Sequence, residues 1–94
     1  MNIGIFEVEL EKGITHLNNA KNLEKSMQFF KAKDEYFYAC QHFLLASKIA
    51  DGSCDNENRI LAEKFVRECE AKYSEMIYKQ WEKNKEDFRT DWCK

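Results

Sequence analysis

The stretch from Asp34 to Asp51, DEYFYACQHFLLASKIAD, constrains this chain most, because as a helix it is apolar on nearly every side. Small residues at Ala39, Ala46 and Ala50 stand among large ones at Tyr36, Phe43 and Ile49, so a neighbouring helix can come close at some points and be filled at others. A helix with more than one apolar face belongs between two others. Its first stripe, Tyr36, Ala39, Phe43, Ala46 and Ala50, is expected to face a preceding helix. A second, through Phe37, Cys40 or Gln41, Leu44 and Lys48, is expected to look toward a following one, and Tyr38 with Leu45 makes a third.

The flanking sequence supplies both neighbours. Phe6, Val8 and Leu10 alternate with glutamates as in a strand, but a lone strand finds no partner downstream. The helical reading links Phe6, Leu10, Ile14 and Leu17 and runs on through Ala20, Leu23, Met27 and Phe30. Gly13 inside it costs on the order of 1 kcal/mol relative to Ala, which favours fraying or a late start near Ile14. The short polar run KAKDE is read as the first turn, with Asp34 capping the second helix and Gly52 closing it in the left-handed conformation. Ser53 or Asp55 then caps a third helix whose inner stripe is Leu61, Phe65, Cys69 and Met76, flanked by Val66, Tyr73, Ile77 and Trp81. Its outer face pairs Glu63 with Arg67, Glu68 with Lys72 and Glu75 with Lys79.

Short connections force antiparallel neighbours. The expectation is therefore an all-α chain, an antiparallel three-helix bundle with a long third helix, forming a single domain over residues 1–94. The helices are expected at about 5–31, 34–51 and 56–88, with a C-terminal tail at about 89–94. The third helix outreaches the second, so its last turns, with Trp81, Phe88 and Trp92, overhang the core.

Composition narrows the function classes. Proline is absent and glycine occurs 3 times, which leaves room for long helices. The 15 Lys and Arg residues are interspersed with 17 Asp and Glu, so the chain lacks the concentrated positive face that nucleic acid requires. Cys40, Cys54, Cys69 and Cys93 contain no pair at the spacing of a zinc knuckle or redox motif, and they read as reduced thiols in a cytosolic protein without a metal or cofactor. Cys40 and His42 point about 200° apart on one helix and cannot share a proton or a metal. No residue set meets the geometric needs of nucleophilic or acid–base catalysis, so no catalytic residue is assigned and the chain is expected not to be an enzyme. The N-terminus MNIGIFEVELEK lacks the basic start and apolar run of a signal peptide, and no stretch reaches the length of a membrane span. A cytoplasmic protein without direct membrane insertion is expected.

Tyr36, Ala39, Phe43 and Ala46, followed by Ile49, reproduce a Y-x-x-A-x-x-x-[YF]-x-x-A pattern. On it, residues 10 to 81 resemble the microtubule-interacting and trafficking (MIT) domain, and the pattern also occurs in tetratricopeptide helices. There is no second copy at a period of about 34 residues, as a tetratricopeptide array would need. The run KAKDEY resembles the hinge before helix two in MIT domains of trafficking ATPases. Helix three departs from those: RECEAKYSEMIYKQW, from Arg67 to Trp81, lacks their Y-L-x-R-A-E-x-L-K signature. YFYACQHFLLA together with the long third helix looks more like MIT domains of autophagy lipid-kinase complexes.

The resemblance implies a non-enzymatic adaptor of endosomal trafficking or autophagy that receives an amphipathic helical motif, such as an ESCRT-III-like tail or a segment of an autophagy kinase-complex subunit. The groove between helices two and three is expected to be lined by Phe37, Leu44, Leu61 and Phe65, with Lys48, Lys64 and Arg67 at its rim, a setting suited to an acidic helix. Through its partners such an adaptor would reach endosomes or autophagosomes. The alternatives are an assembly subunit or homodimer using helix three and a second interface at Trp81, Phe88 and Trp92, and a lone tetratricopeptide-like chaperone module.

Overall fold

The computed structural model describes the backbone of residues 2–92 and the side chains of residues 4–85. Three helices follow one another, α1 (Asn2–Lys25), α2 (Phe29–Gly52) and α3 (Asn56–Trp92). They form the all-α three-helix bundle with a long third helix that the periodicity predicts. No helix among the described residues is long and apolar enough to cross a membrane. The molecule measures 63 × 17 × 13 Å, and α2 packs along both neighbours while the backbones of α1 and α3 scarcely meet.

Each helix contributes one inward line at alternating steps of three and four. In α2 it is Phe29, Ala32, Tyr36, Ala39, Phe43, Ala46 and Ala50, all buried. This line faces both neighbours at once, because its alanines let the flanking backbones close in while Tyr36 and Phe43 fill the spaces, both at 0% exposure. On α1 the line is Phe6, Leu10, Gly13, Leu17 and Ala20; on α3 it is Ala62, Val66, Cys69, Tyr73 and Met76.

The first turn lies earlier than KAKDE predicts. α1 ends at Lys25, and Met27 takes the left-handed conformation with φ of 60°. Its amide donates to Glu24 at 2.9 Å and that of Gln28 to Leu23 at 2.9 Å, so the last carbonyls of α1 are satisfied by a C-terminal cap without glycine. KAKDE contains only residues a helix tolerates, and it continues the α2 line back to Phe29 and Ala32. Asp34 is thus inside α2, and Met27 and Phe30 are exposed rather than part of the α1 stripe. The second turn repeats the same cap: Cys54, not Gly52, has φ of 57°, and the amides of Cys54 and Asp55 donate to Asp51 and Ala50 at 3.0 and 2.9 Å. Asp55 caps α3, accepting from the Asn58 amide at 3.2 Å and from the Asn58 side chain at 2.7 Å.

Two inward positions differ from the sequence reading. Gly13 is buried within a continuous helix, with Ile14 at the edge. An alanine Cβ there would stand 2.6 Å from Phe43 Cε1, so the glycine is a slot for the ring. On α3, Ala62 and Val66 point inward while Leu61 is exposed. The surface ion pairs are partly rearranged: Glu75 does meet Lys79 at 3.3 Å, but Glu63 meets Arg59 at 3.0 Å.

At about 1.5 Å per residue, the 37 residues of α3 span about 55 Å and the 24 of α1 or α2 about 36 Å. The near end of α2 is level with Lys79, whose ammonium lies 5.6 Å from the centre of the Phe29 ring. Beyond that level the α3 backbone continues to Trp92, for roughly 20 Å past the described ends of its neighbours.

Candidate functional site

The second stripe of α2 sits on the α3 side but is only partly covered. Phe37 and Leu44 remain 46% and 39% exposed. With Cys40 and Gln41 from α2 and Cys69, Glu70, Tyr73 and Ser74 from α3 they line a hollow of about 360 Å³. The Phe37 and Tyr73 rings lie 6.2 Å apart across it. Toward the α1–α2 turn the depression continues into a second hollow of about 210 Å³, lined by Phe30, Lys33, Met76, Ile77 and Gln80. The Lys33 ammonium joins the two, 4.3 Å from the Phe30 ring centre and 6.0 Å from that of Tyr73, and it pairs with Asp34 at 3.5 Å. From Phe30 to Leu44 the groove runs about 21 Å, the length of a four-turn helix.

The seven residues expected to form one groove are divided by the structure. Phe37 and Leu44 line it. Lys48 borders its far end in a shallow depression with Gln41, His42, Leu44 and Leu45. Arg67, exposed three residues before Glu70, falls on the same edge of α3. Leu61 and Phe65 lie on the opposite flank: Phe65 stacks on Phe43 at 4.7 Å and is seven residues before Lys72, which reaches α1. Lys64 is exposed and turned away from both grooves. The inward line through Ala62 and Val66 is one residue out of phase with the Leu61–Phe65 line, and that offset moves the pair to the α1 side. The rim therefore carries Glu70 between Lys33 and Arg67 rather than an unbroken basic edge.

Of the second expected interface, Trp81 is 55% exposed at the root of the α3 overhang. Its ring lies 6.1 Å from that of Tyr78, and the Lys85 ammonium sits 5.0 Å from its centre. The side chains of Phe88 and Trp92 lie outside the described residues. Phe30, Tyr73 and Ile77 belong to the site and were not assigned to it from the sequence. The signal for Phe30 is the seven-residue spacing of Phe30, Phe37 and Leu44, visible once α2 starts at Phe29.

The chemistry of the groove is that of an apolar surface. Burial pushes the Cys69 thiol up to about 12 and also raises Cys40, so both are protonated at neutral pH and act as small apolar side chains. No group of three His, Cys, Asp or Glu side chains among the described residues could hold a metal.

The polar networks tie helices together elsewhere. On the α1–α3 side Glu24 accepts from the Tyr36 hydroxyl at 2.8 Å, from Lys72 at 3.2 Å and from Lys79 at 3.2 Å, uniting all three helices. Burial alone would raise the Glu24 carboxyl, but the bonds from Tyr36, Lys79 and Lys72 outweigh it and hold the group below its ordinary range. On the α1–α2 side the His16 and His42 rings stack at 5.4 Å, nearly parallel. His42 Nδ1 donates to Glu9 at 2.7 Å and His16 Nδ1 to Glu35 at 2.5 Å, two cross-helix bonds that separate helices conceal from a sequence reading. The bond from His42 holds Glu9 below the usual carboxylate range.

The chain matches no family model, no curated protein and no solved structure.

Proposed function

We propose that this domain is a non-enzymatic interaction module that receives an amphipathic helix of a protein partner in the groove between α2 and α3. The observation that carries the reading is the continuous, half-exposed apolar strip of Phe30, Phe37, Leu44, Tyr73 and Ile77 on two adjacent helices, with the buried core behind it. A fourth helix laid there would place apolar residues at three- and four-residue steps onto this strip, as helices do in a bundle. Lys33, Lys48 and Arg67 favour acidic residues along the flanks of such a helix, and Glu70 favours a basic one near its middle. The resemblance of the Tyr36–Ala46 pattern to MIT domains supports a partner of the endosomal-trafficking or autophagy type.

Leu44→Asp tests the reading. Leu44 stands on the groove rim rather than in the core, so the variant keeps its helical circular dichroism. In calorimetric titration with an acidic helical tail peptide, the wild type binds and the variant loses at least ten-fold in affinity. Unchanged binding by the folded variant would place the partner elsewhere.

A further inference from the structure

The strip does not stop where the bundle stops. It passes from Phe37 and Tyr73 through Phe30 and Ile77 to Trp81, which opens the stretch of α3 that runs past the ends of α1 and α2. Most helical stability in proteins comes from tertiary packing of an apolar face, so this segment gains most from a surface to lie on. Its length, roughly 20 Å, matches the about 21 Å of the groove between Phe30 and Leu44.

We infer that the groove of one copy receives the overhanging end of α3 from a second copy, and reciprocally, about a two-fold axis close to Trp81. The inference rests on the reading of the α2–α3 groove as a helix-binding site and names the helix. An antiparallel pairing of the two α3 helices is required, because each overhang leaves the bundle at the open end of its own groove. A rotation about the exit point carries it back along the groove of its mate. One surface thereby serves both copies, which is the condition for a closed dimer rather than a chain of subunits. The areas agree. Phe30, Phe37, Leu44, Ile77 and Trp81 together leave on the order of 500 Å² of apolar surface exposed, near the top of what a monomer ordinarily carries. That is about the apolar share of one side of a standard interface of about 800 Å² per partner. The strip carries both signs of charge, Lys33 and Lys85 against Glu70 and Glu82, so two like faces meet without net repulsion.

Sedimentation equilibrium on the full chain from about 5 to about 500 µM tests this, with Phe37→Lys and Trp81→Lys as variants. Both positions are exposed, and circular dichroism checks that the helices remain. The wild type sediments as a dimer with micromolar dissociation, and each variant weakens association at least ten-fold. A wild type that stays monomeric throughout overturns the inference. So does a dimer that Phe37→Lys leaves unchanged. If the monomer nevertheless shifts its Phe37 and Leu44 resonances on adding an acidic helical peptide, self-docking falls and the helix-binding groove stands. If those resonances are silent as well, both fall.

Discussion

Gly13→Ala separates two opposed effects in a single residue. Considered only as a helix position, the change should stabilise the protein by about 1 kcal/mol, since glycine in a helix interior costs that much relative to alanine. The packing predicts the reverse sign. The new methyl would lie 2.6, 2.7 and 2.9 Å from Cε1, Cδ1 and Cζ of Phe43, about 1 Å inside ordinary contact. The ring cannot retreat freely, because it is fully buried and stacked on Phe65 at 4.7 Å. Overpacking of this kind typically costs about 1–3 kcal/mol, so after the propensity gain the net effect is a loss of up to about 2 kcal/mol. For a domain of this size that lowers Tm by up to about 15 °C. Urea unfolding followed by circular dichroism at 222 nm measures the difference. A double-mutant cycle with Phe43→Leu adds a control: the smaller side chain vacates the slot, and Gly13→Ala then becomes neutral or stabilising. A single Gly13→Ala variant more stable than the wild type would refute the reasoning.

Three further outcomes follow from the same contacts. Glu24→Ala strands the buried Tyr36 hydroxyl, while Lys72 and Lys79 keep Glu75 at 3.1 and 3.3 Å, and should cost about 1–3 kcal/mol in urea unfolding; a loss under about 0.5 kcal/mol would show that solvent replaces the carboxylate. Glu24, Glu9 and Glu75 are all held below the ordinary carboxylate range, Glu75 chiefly by its bond from Lys72, so the stability they contribute is present above about pH 4.5 and is lost as pH falls through their lowered folded values. Glu24→Gln should flatten that acid limb in thermal melts between about pH 5 and pH 2, and an unchanged slope would remove Glu24 from the explanation. Met27→Gly relieves a left-handed residue at the end of α1 and, with the side chain exposed, should stabilise by about 0.5–1 kcal/mol; no gain would mean the turn carries no strain.

The central helix was readable because its burial is periodic: Tyr36, Ala39, Phe43, Ala46 and Ala50 need no partner information to be seen as an inward line. Its beginning was not, because Met27 and Cys54 perform the helix-ending turns usually given to glycine, while Gly52 and the polar KAKDE run do not. Propensity ranks residues by local preference, whereas both turns are closed by backbone hydrogen bonds around left-handed Met27 and Cys54. Gly13 shows the same limit from another direction, since a glycine that weakens an isolated helix is what admits the Phe43 ring. At the candidate site, Phe37 and Leu44 follow from the second stripe of α2. Leu61 and Phe65 were misplaced because an apolar run LAEKFV supports two phases one residue apart, and only packing with Ala46 and Ala50 for Ala62, and in the cluster of Ala39 and Phe43 for Val66, selects the inward phase. The Glu24 and Glu9–His42 networks join residues 12 to 55 positions apart and leave no local trace.

The central claim is that the strip between α2 and α3 accepts a helix. Heteronuclear NMR of the dilute protein, titrated with an acidic amphipathic peptide of the ESCRT-III-tail type, tests it most directly. The predicted result is a saturable shift of Phe37, Leu44, Tyr73 and Ile77, with Leu61 and Phe65 on the opposite flank unmoved. Shifts confined to Leu61 and Phe65, or none at all, would contradict it.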